Sequence, residues 1–228
     1  MLMWIMRCTR PDIAAAVSSL ASKIHRFSDA ACEQLLRCVG HVERTCACGI
    51  VMRLGAGAEG RGLLVHTDAY WRRPRSQMGY QAFVSKNRHF GEDDHCLIDF
   101  GSKGQKIGAD STPAAGAIGV HFGLRSVLAV TDAVSEIAGC DEKAPVLTLL
   151  NDNKSAAGAY HRGCSEKLSS YNKAVGLKLR FVRDIADLGM IGIGRVDTLH
   201  DTADGHTKIL ERLKSIGSRR MMGVAEMR

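Results

Sequence analysis

The sequence predicts an α/β fold with a mixed five-stranded sheet flanked by helices, preceded by an amino-terminal helical hairpin. Three observations carry this. Residues 1–55 place apolar side chains at helical spacing, a glycine-rich stretch follows, and residues 63–215 alternate short apolar runs with longer helical ones. The order in that second part is three strands, helix, strand, helix, strand, helix, the pattern of hairpins followed by crossovers. The 228 residues amount to about one and a half domains of ordinary size, which suits one full domain and an appendage.

From the amino terminus, Thr9-Arg10-Pro11-Asp12 opens a run in which Ile13, Val17, Leu20 and Ile24 share one helix face. Ser28 and Asp29 then cap a second helix carrying Leu35, Leu36, Val39 and Val42. Such a hairpin must bury its stripe on something else. Residues 56–62, inside GAGAEGRG, read as a linker. Beyond it, Leu63–Asp68 is a short apolar strand ending on a carboxylate, and residues 77–85 and 95–100 are two further strands. Thr112-Pro113 opens a long helix to about Gly139, with a hydroxyl at the N-cap and proline at the first helical position. Leu147–Leu150 is a buried strand leading to Asp152. A helix over 165–188, a strand over 191–196 and a last helix from about Thr202 follow, and residues 216–228 read as a flexible tail.

Composition narrows the function classes. A 45% hydrophobic chain is too apolar for a disordered one, and 5% aromatics argues against a base-stacking platform. The net charge of +7 favours polyanionic partners without naming one. The eight cysteines sit in a chain with neither the length nor the targeting signal of a disulfide scaffold, and Cys46 and Cys48 lack a second pair at zinc spacing. Arg7 and Arg10 interrupt the apolar start, so neither a signal peptide nor a membrane span is expected and the location is intracellular, cytoplasm or nucleus.

The chemistry-bearing candidates are Asp68 and Asp152, at the ends of two strands that a crossover can set side by side and parallel. They either converge in one crevice, where a cation would offset their repulsion, or stand as solvated strand-end residues. Asp204 near a helix start is a third candidate or a simple cap. His200 and His206 beside it read as surface imidazoles, and Lys167, Lys173, Lys178, Arg180 and Arg183 as mostly solvated helix faces.

Five boxes add a resemblance. Thr9-Arg10-Pro11-Asp12-Ile13, Asp68-Ala69-x-Trp71, Ser111-Thr112-Pro113, Asn151-Asp152-Asn153-Lys154-Ser155-Ala156 and Ala203-Asp204-Gly205-His206-Thr207-Lys208 occur in that order. Over about residues 3–211 the chain resembles the connection and ribonuclease H region of copia-type LTR retrotransposon reverse transcriptase polyproteins. That resemblance implies an RNase H-like fold and hydrolysis of the RNA strand of RNA–DNA hybrids. The cofactor would be Mg²⁺, two ions held by carboxylates about 4 Å apart. It makes Asp68, Asp152 and Asp204 the catalytic, metal-binding residues, with the polymerase part of the same polyprotein as a possible partner.

Where the family carries glutamate inside the long helix, this chain has Ala114 and Gly116, and Ala114 is the degenerate slot. The nuclease is therefore expected to be impaired; the alternative is a degenerate, non-catalytic nucleic-acid-binding remnant. Arg72, Arg73, Arg75 and Lys154 are possible nucleic-acid contacts. Phe90-Gly91-Glu92-Asp93-Asp94 lacks the spacing of a polymerase box, so no polymerase site is expected in this chain.

Overall fold

A computed structural model describes residues 1–52, 62–73, 75–85, 95–138, 147–166, 168, 173–210 and 212–227. Most of the expected linker and the segment from Phe90 to Asp94 lie outside the described residues.

The central sheet has five strands, β2 (Gly62–Tyr70), β3 (Gln77–Ser85), β4 (His95–Gly104), β5 (Leu147–Asn151) and β6 (Ile191–Arg195), in the order β4-β3-β2-β5-β6. β2, β3 and β4 pair antiparallel, while β5 runs parallel to β2 and β6 parallel to β5. This is the mixed five-stranded sheet that the strand and helix order predicts, in the RNase H-like arrangement that the resemblance implies. Odd-numbered β2 residues (Leu63, Val65, Ala69) face a core shared with Met78, Tyr80 and Ala82 of β3.

Helix α4 (Thr112–Ala138) covers that face, packed with α5 (Lys154–Arg162) and α6 (Lys173–Asp187) through Ala117, Val120, Leu124, Tyr160, Val175 and Leu179. By length and composition its segment Thr112–Val134 would pass for a membrane span, but it is apolar because it packs on the sheet. Gly119 and Gly123 set its close approach: a Cβ at Gly119 would lie 3.1 Å from the Asp68 carbonyl oxygen, and one at Gly123 only 2.5 Å from Thr67 Cγ2. Ser111, rather than Thr112, caps the helix, its Oγ accepting from Ala114 N at 3.4 Å.

The other face of the sheet is where the amino terminus goes. Helix α1 (Leu2–Cys8), a 3₁₀ turn (Pro11–Ile13), α2 (Ala14–Ala21) and α3 (Asp29–Arg44) enclose a second core of Met6, Ile13, Ala14, Val17, Leu20, Ala31 and Cys38. Phe100 of β4 packs against it, and Gln77 of β3 donates to Ser18 Oγ at 2.9 Å. The predicted stripe is therefore partly right: Ile13, Val17 and Leu20 are buried, whereas Ile24, Leu36 and Val39 are exposed. Ser28 caps α3 as expected, accepting from Ala31 N.

The Thr9–Asp12 run owes its structural role to Arg10. The guanidinium grips Asp12 at 2.8 and 2.9 Å and donates to the carbonyl and hydroxyl of Thr45 at the end of α3. His41 adds a contact to Asp12 at 3.1 Å. Burial pushes the Asp12 carboxyl up, but the bonds from Arg10 and His41 outweigh it and hold its pKa at about 2. Because the folded pKa is depressed from 3.8, this stabilisation is present above pH 3.8 and is lost as pH falls through about 2. An acid titration should show Asp12→Asn losing about 2 kcal/mol relative to wild type at pH 6, the gap closing below about pH 2.

Two expectations are corrected and one helix is added. The flexible tail from residue 216 is instead folded: α8 (Arg212–Met221) ends on buried Met222, and β7 (Val224–Glu226) pairs antiparallel with β1 (Cys48–Ile50). Residues 1–55 thus include a strand, and three-residue partners this far apart carry no periodicity from which to be read. The helix expected over 165–188 holds α6 (Lys173–Asp187), and a separate helix that the sequence did not mark, α5, precedes that span and ends at Gly163, whose φ of +65° is left-handed.

Candidate metal centre

Parallel pairing brings the first two candidates together. β2 and β5 are in register from Leu63↔Leu147 to His66↔Leu150, and continuing that register by two residues sets Asp68 level with Asp152. Asn151 clamps the strand ends, its amide donating to the Thr67 carbonyl at 2.5 Å while Thr67 Oγ1 donates to the Leu150 carbonyl at 3.2 Å. Asn153 then caps α5 through Ser155 N and Ala156 N, which fixes the loop carrying Asp152.

The third carboxylate at this point is Asp201. One oxygen from each of Asp68, Asp152 and Asp201 lies within 4.8 Å of the others. Asp201 follows the 3₁₀ turn Thr198–His200 and is 3% exposed. Its Oδ1 accepts from Ala203 N at 3.0 Å and sits 3.7 Å from His66 Nδ1, while its Oδ2 is buried with no hydrogen-bond partner. Sequence reading missed it. The only available signal was a second aspartate three residues before Asp204.

Asp204 begins α7 (Asp204–Thr207) and lines the same cleft, ion-paired with Lys208. Thr207 on that short helix donates to Asp68 Oδ2. The approach of α7 depends on Gly79, the residue opposite Asp68 in the β2–β3 register, where a Cβ would stand 2.5 Å from His206 Cβ. His206 is no surface imidazole. It is fully buried and stacked on Phe100 at 5.5 Å, and burial pushes its pKa down to about 3. His200 is exposed, as expected.

The cleft has a volume of about 360 Å³, with Trp71, Thr112, Gly116 and Asn153 among its walls. Gly116 is thus, with Thr112, a position of α4 that lines the cleft of the carboxylates. Ala114, the expected slot, is 1% exposed inside the sheet–α4 core. Arg72, Arg73, Arg75 and Lys154 are exposed and lie beside the cleft-lining Trp71 and Asn153 in sequence.

Electrostatics match the geometry. Burial, then the charge of Asp201, raises the Asp68 pKa to about 7 against the opposing Thr207 bond, with Asp204 and Asp152 adding to the rise. Burial likewise drives Asp201 well above the carboxylate range. Clustered oxygen donors and a buried carboxylate oxygen without a partner suit a hard divalent cation, so the residues present fit such a group.

No family model and no curated protein matches the sequence. Solved structures align with the fold. The N-terminal RNase H domain of a Mycobacterium tuberculosis protein aligns at a TM-score of 0.43 and 15% identity, covering 70% of this chain and 97% of that one. An RNase H1 from the halophilic archaeon Halobacterium salinarum aligns at 0.42 and 10% identity, covering 63% and 92%. A compost-derived RNase H1 in complex with an RNA/DNA hybrid gives the same four values, 0.42, 10%, 63% and 92%. The fold class rests on this chain's own strand order and directions. It is RNase H-like.

Proposed function

We propose that this chain is the connection and ribonuclease H portion of a copia-type retrotransposon reverse transcriptase, acting on the RNA strand of RNA–DNA hybrids at a reduced rate. The observation that carries the reading is the convergence of Asp68, Asp152 and the buried Asp201 where adjacent parallel strands end, beside an open cleft that Asp68, Asp152, Asp204 and Lys208 line. Asp68, Asp152 and Asp201 would hold a divalent cation, Mg²⁺ by the resemblance, with Asp204 as the fourth carboxylate of the cleft. When bound, such cations offset the carboxylate charge, lower the pKa of an attacking water and stabilise the leaving oxygen.

The chain's own residues supply the rest. Thr207 orients Asp68, and Asn151 fixes the spacing of the two strand ends. Arg72, Arg73, Arg75 and Lys154, exposed and close in sequence to the cleft residues Trp71 and Asn153, would meet phosphates, with the polymerase part of the polyprotein as a further partner. The reduced rate follows from Gly116, which leaves the α4 wall of the cleft without a carboxylate. The same gap favours a second reading, a non-catalytic remnant that only binds hybrid.

One assay separates the two. The full chain is incubated with a hybrid labelled on either strand, with Mg²⁺ or with chelator. Slow, chelator-sensitive cleavage confined to the RNA strand supports the nuclease. Hybrid retention with both strands intact at stoichiometric protein supports the remnant.

A further inference from the structure

A second cavity, of about 290 Å³, lies away from the strand ends, between the amino-terminal helices and the last helix. Its floor is apolar, with Ile13, Leu20 and Met222 among the side chains that form it. Its rim is cationic and hydroxylic. Arg37, Lys208 and Arg219 border it together with Ser215 and Ser218. Arg37 and Lys208 are ion-paired with Glu33 and Asp204, and Asp12, the carboxylate among the described wall residues, is engaged by Arg10 and His41, so the charge left for a ligand is that of Arg219.

Two donors there have no hydrogen-bond partner. Ser218 is 5% exposed and its Oγ is buried and unpaired, and Arg219 Nε is also buried and unpaired. Unpaired buried donors are costly, and a guanidinium beside a hydroxyl is a usual recognition pair for an oxyanion. The volume is too large for one or two waters, at about 30 Å³ each, and sits at the low end of small-molecule sites.

We propose that this cavity is a binding site for a small amphiphilic organic anion, its oxyanion held by Arg219 and Ser218 and its apolar body resting on Ile13, Leu20 and Met222. The ligand bridges α2 and α8, so binding fastens the amino-terminal segment to the end of the chain. The proposal is independent of the nuclease reading, since the cavity opens apart from the cleft and, although α7 lends Gly205 to one and Asp204 to the other, only Lys208 borders both.

Phenyl phosphate is the probe, titrated into the full chain by calorimetry and by NMR of the methionine methyls. Saturable binding in the range of about 1 mM or tighter is expected, with a shift of the Met222 methyl. Inorganic phosphate and benzyl alcohol, each carrying half of the chemistry, should bind at least about tenfold more weakly, a difference of about 1.4 kcal/mol. Arg219→Gln combined with Ser218→Ala should lose the binding while keeping the wild-type circular dichroism spectrum. Equal affinity for benzyl alcohol, equal affinity for inorganic phosphate, or an unmoved Met222 methyl in the wild-type chain would each overturn the proposal. The methyl readout needs no variant, so it stands even where the double substitution fails to fold.

Discussion

Asp68→Asn will abolish cation-dependent cleavage of a hybrid and at the same time stabilise the metal-free chain. Both effects follow from one carboxylate. Asp68 is half-buried beside Asp201, Asp204 and Asp152, and its partial burial together with those charges raises its pKa to about 7. The amide keeps an oxygen to accept from Thr207, so the hydrogen bond that ties α7 to β2 survives while a like charge is removed. Relief of that repulsion should add about 1–2 kcal/mol to the stability measured in chelator.

The cation dependence should disappear as well. Mg²⁺ at about 100 times its dissociation constant stabilises a protein with one intact site by about 2.7 kcal/mol. Wild type should show a rise in melting temperature with Mg²⁺ and Asp68→Asn should show none. Activity should fall at least about 100-fold, the size expected when an interaction of roughly 3 kcal/mol with the transition state is lost. A variant that is less stable in chelator, or that still gains stability from Mg²⁺, would show that Asp68 belongs to a structural hydrogen-bond network and not to a metal centre.

Asp68 and Asp152 were legible because each ends a short apolar run, and a crossover of ordinary length makes two such runs parallel neighbours. The five sheet strands were legible for the same reason, β3 to the residue, since their buried faces leave a run or an alternation in the sequence. Asp201 was not legible. It sits between a 3₁₀ turn and a four-residue helix, where no periodicity marks the inward side, and its burial depends on the cover that α7 gives to β2 and β3. His206 was misread on the same ground: a polar residue in a short polar segment is taken as exposed until Gly79 is seen to admit α7. The pairing of β1 with β7 joins residues 48–50 to 224–226, a contact set by the docking of the amino-terminal helices and not by any local pattern. A glycine inside a helix costs about 1 kcal/mol relative to alanine, so the sequence alone would mark Gly116, Gly119 and Gly123 as weakening α4. Gly119 and Gly123 instead allow it to sit on Asp68 and Thr67, and only Gly116 opens onto the cleft.

That distinction sets the sharpest test of the helix position. Gly116→Glu should raise the cleavage rate by about tenfold, equivalent to about 1.4 kcal/mol of transition-state stabilisation, whereas Ala114→Glu should give no gain. A Cβ at Gly116 would meet Ala156 Cβ and Asn153 Nδ2 at 3.5 Å, ordinary contact distances, and the longer side chain can extend into the cleft beside Asp68. Replacing glycine within a helix also favours the folded state by several tenths of a kcal/mol. In chelator the added charge beside Asp68 should offset that gain, so the benefit in stability should emerge only with Mg²⁺. Ala114 is 1% exposed in the core between α4 and the sheet, so a glutamate there must be buried in apolar surroundings. A carboxyl kept neutral by burial at pH 7 costs about 3–5 kcal/mol, which a denaturant midpoint would register. If Ala114→Glu were instead the variant that gains activity without losing stability, α4 would have to be rotated relative to the cleft. Gly116 would then no longer be the position from which a fourth wall of carboxylate is missing.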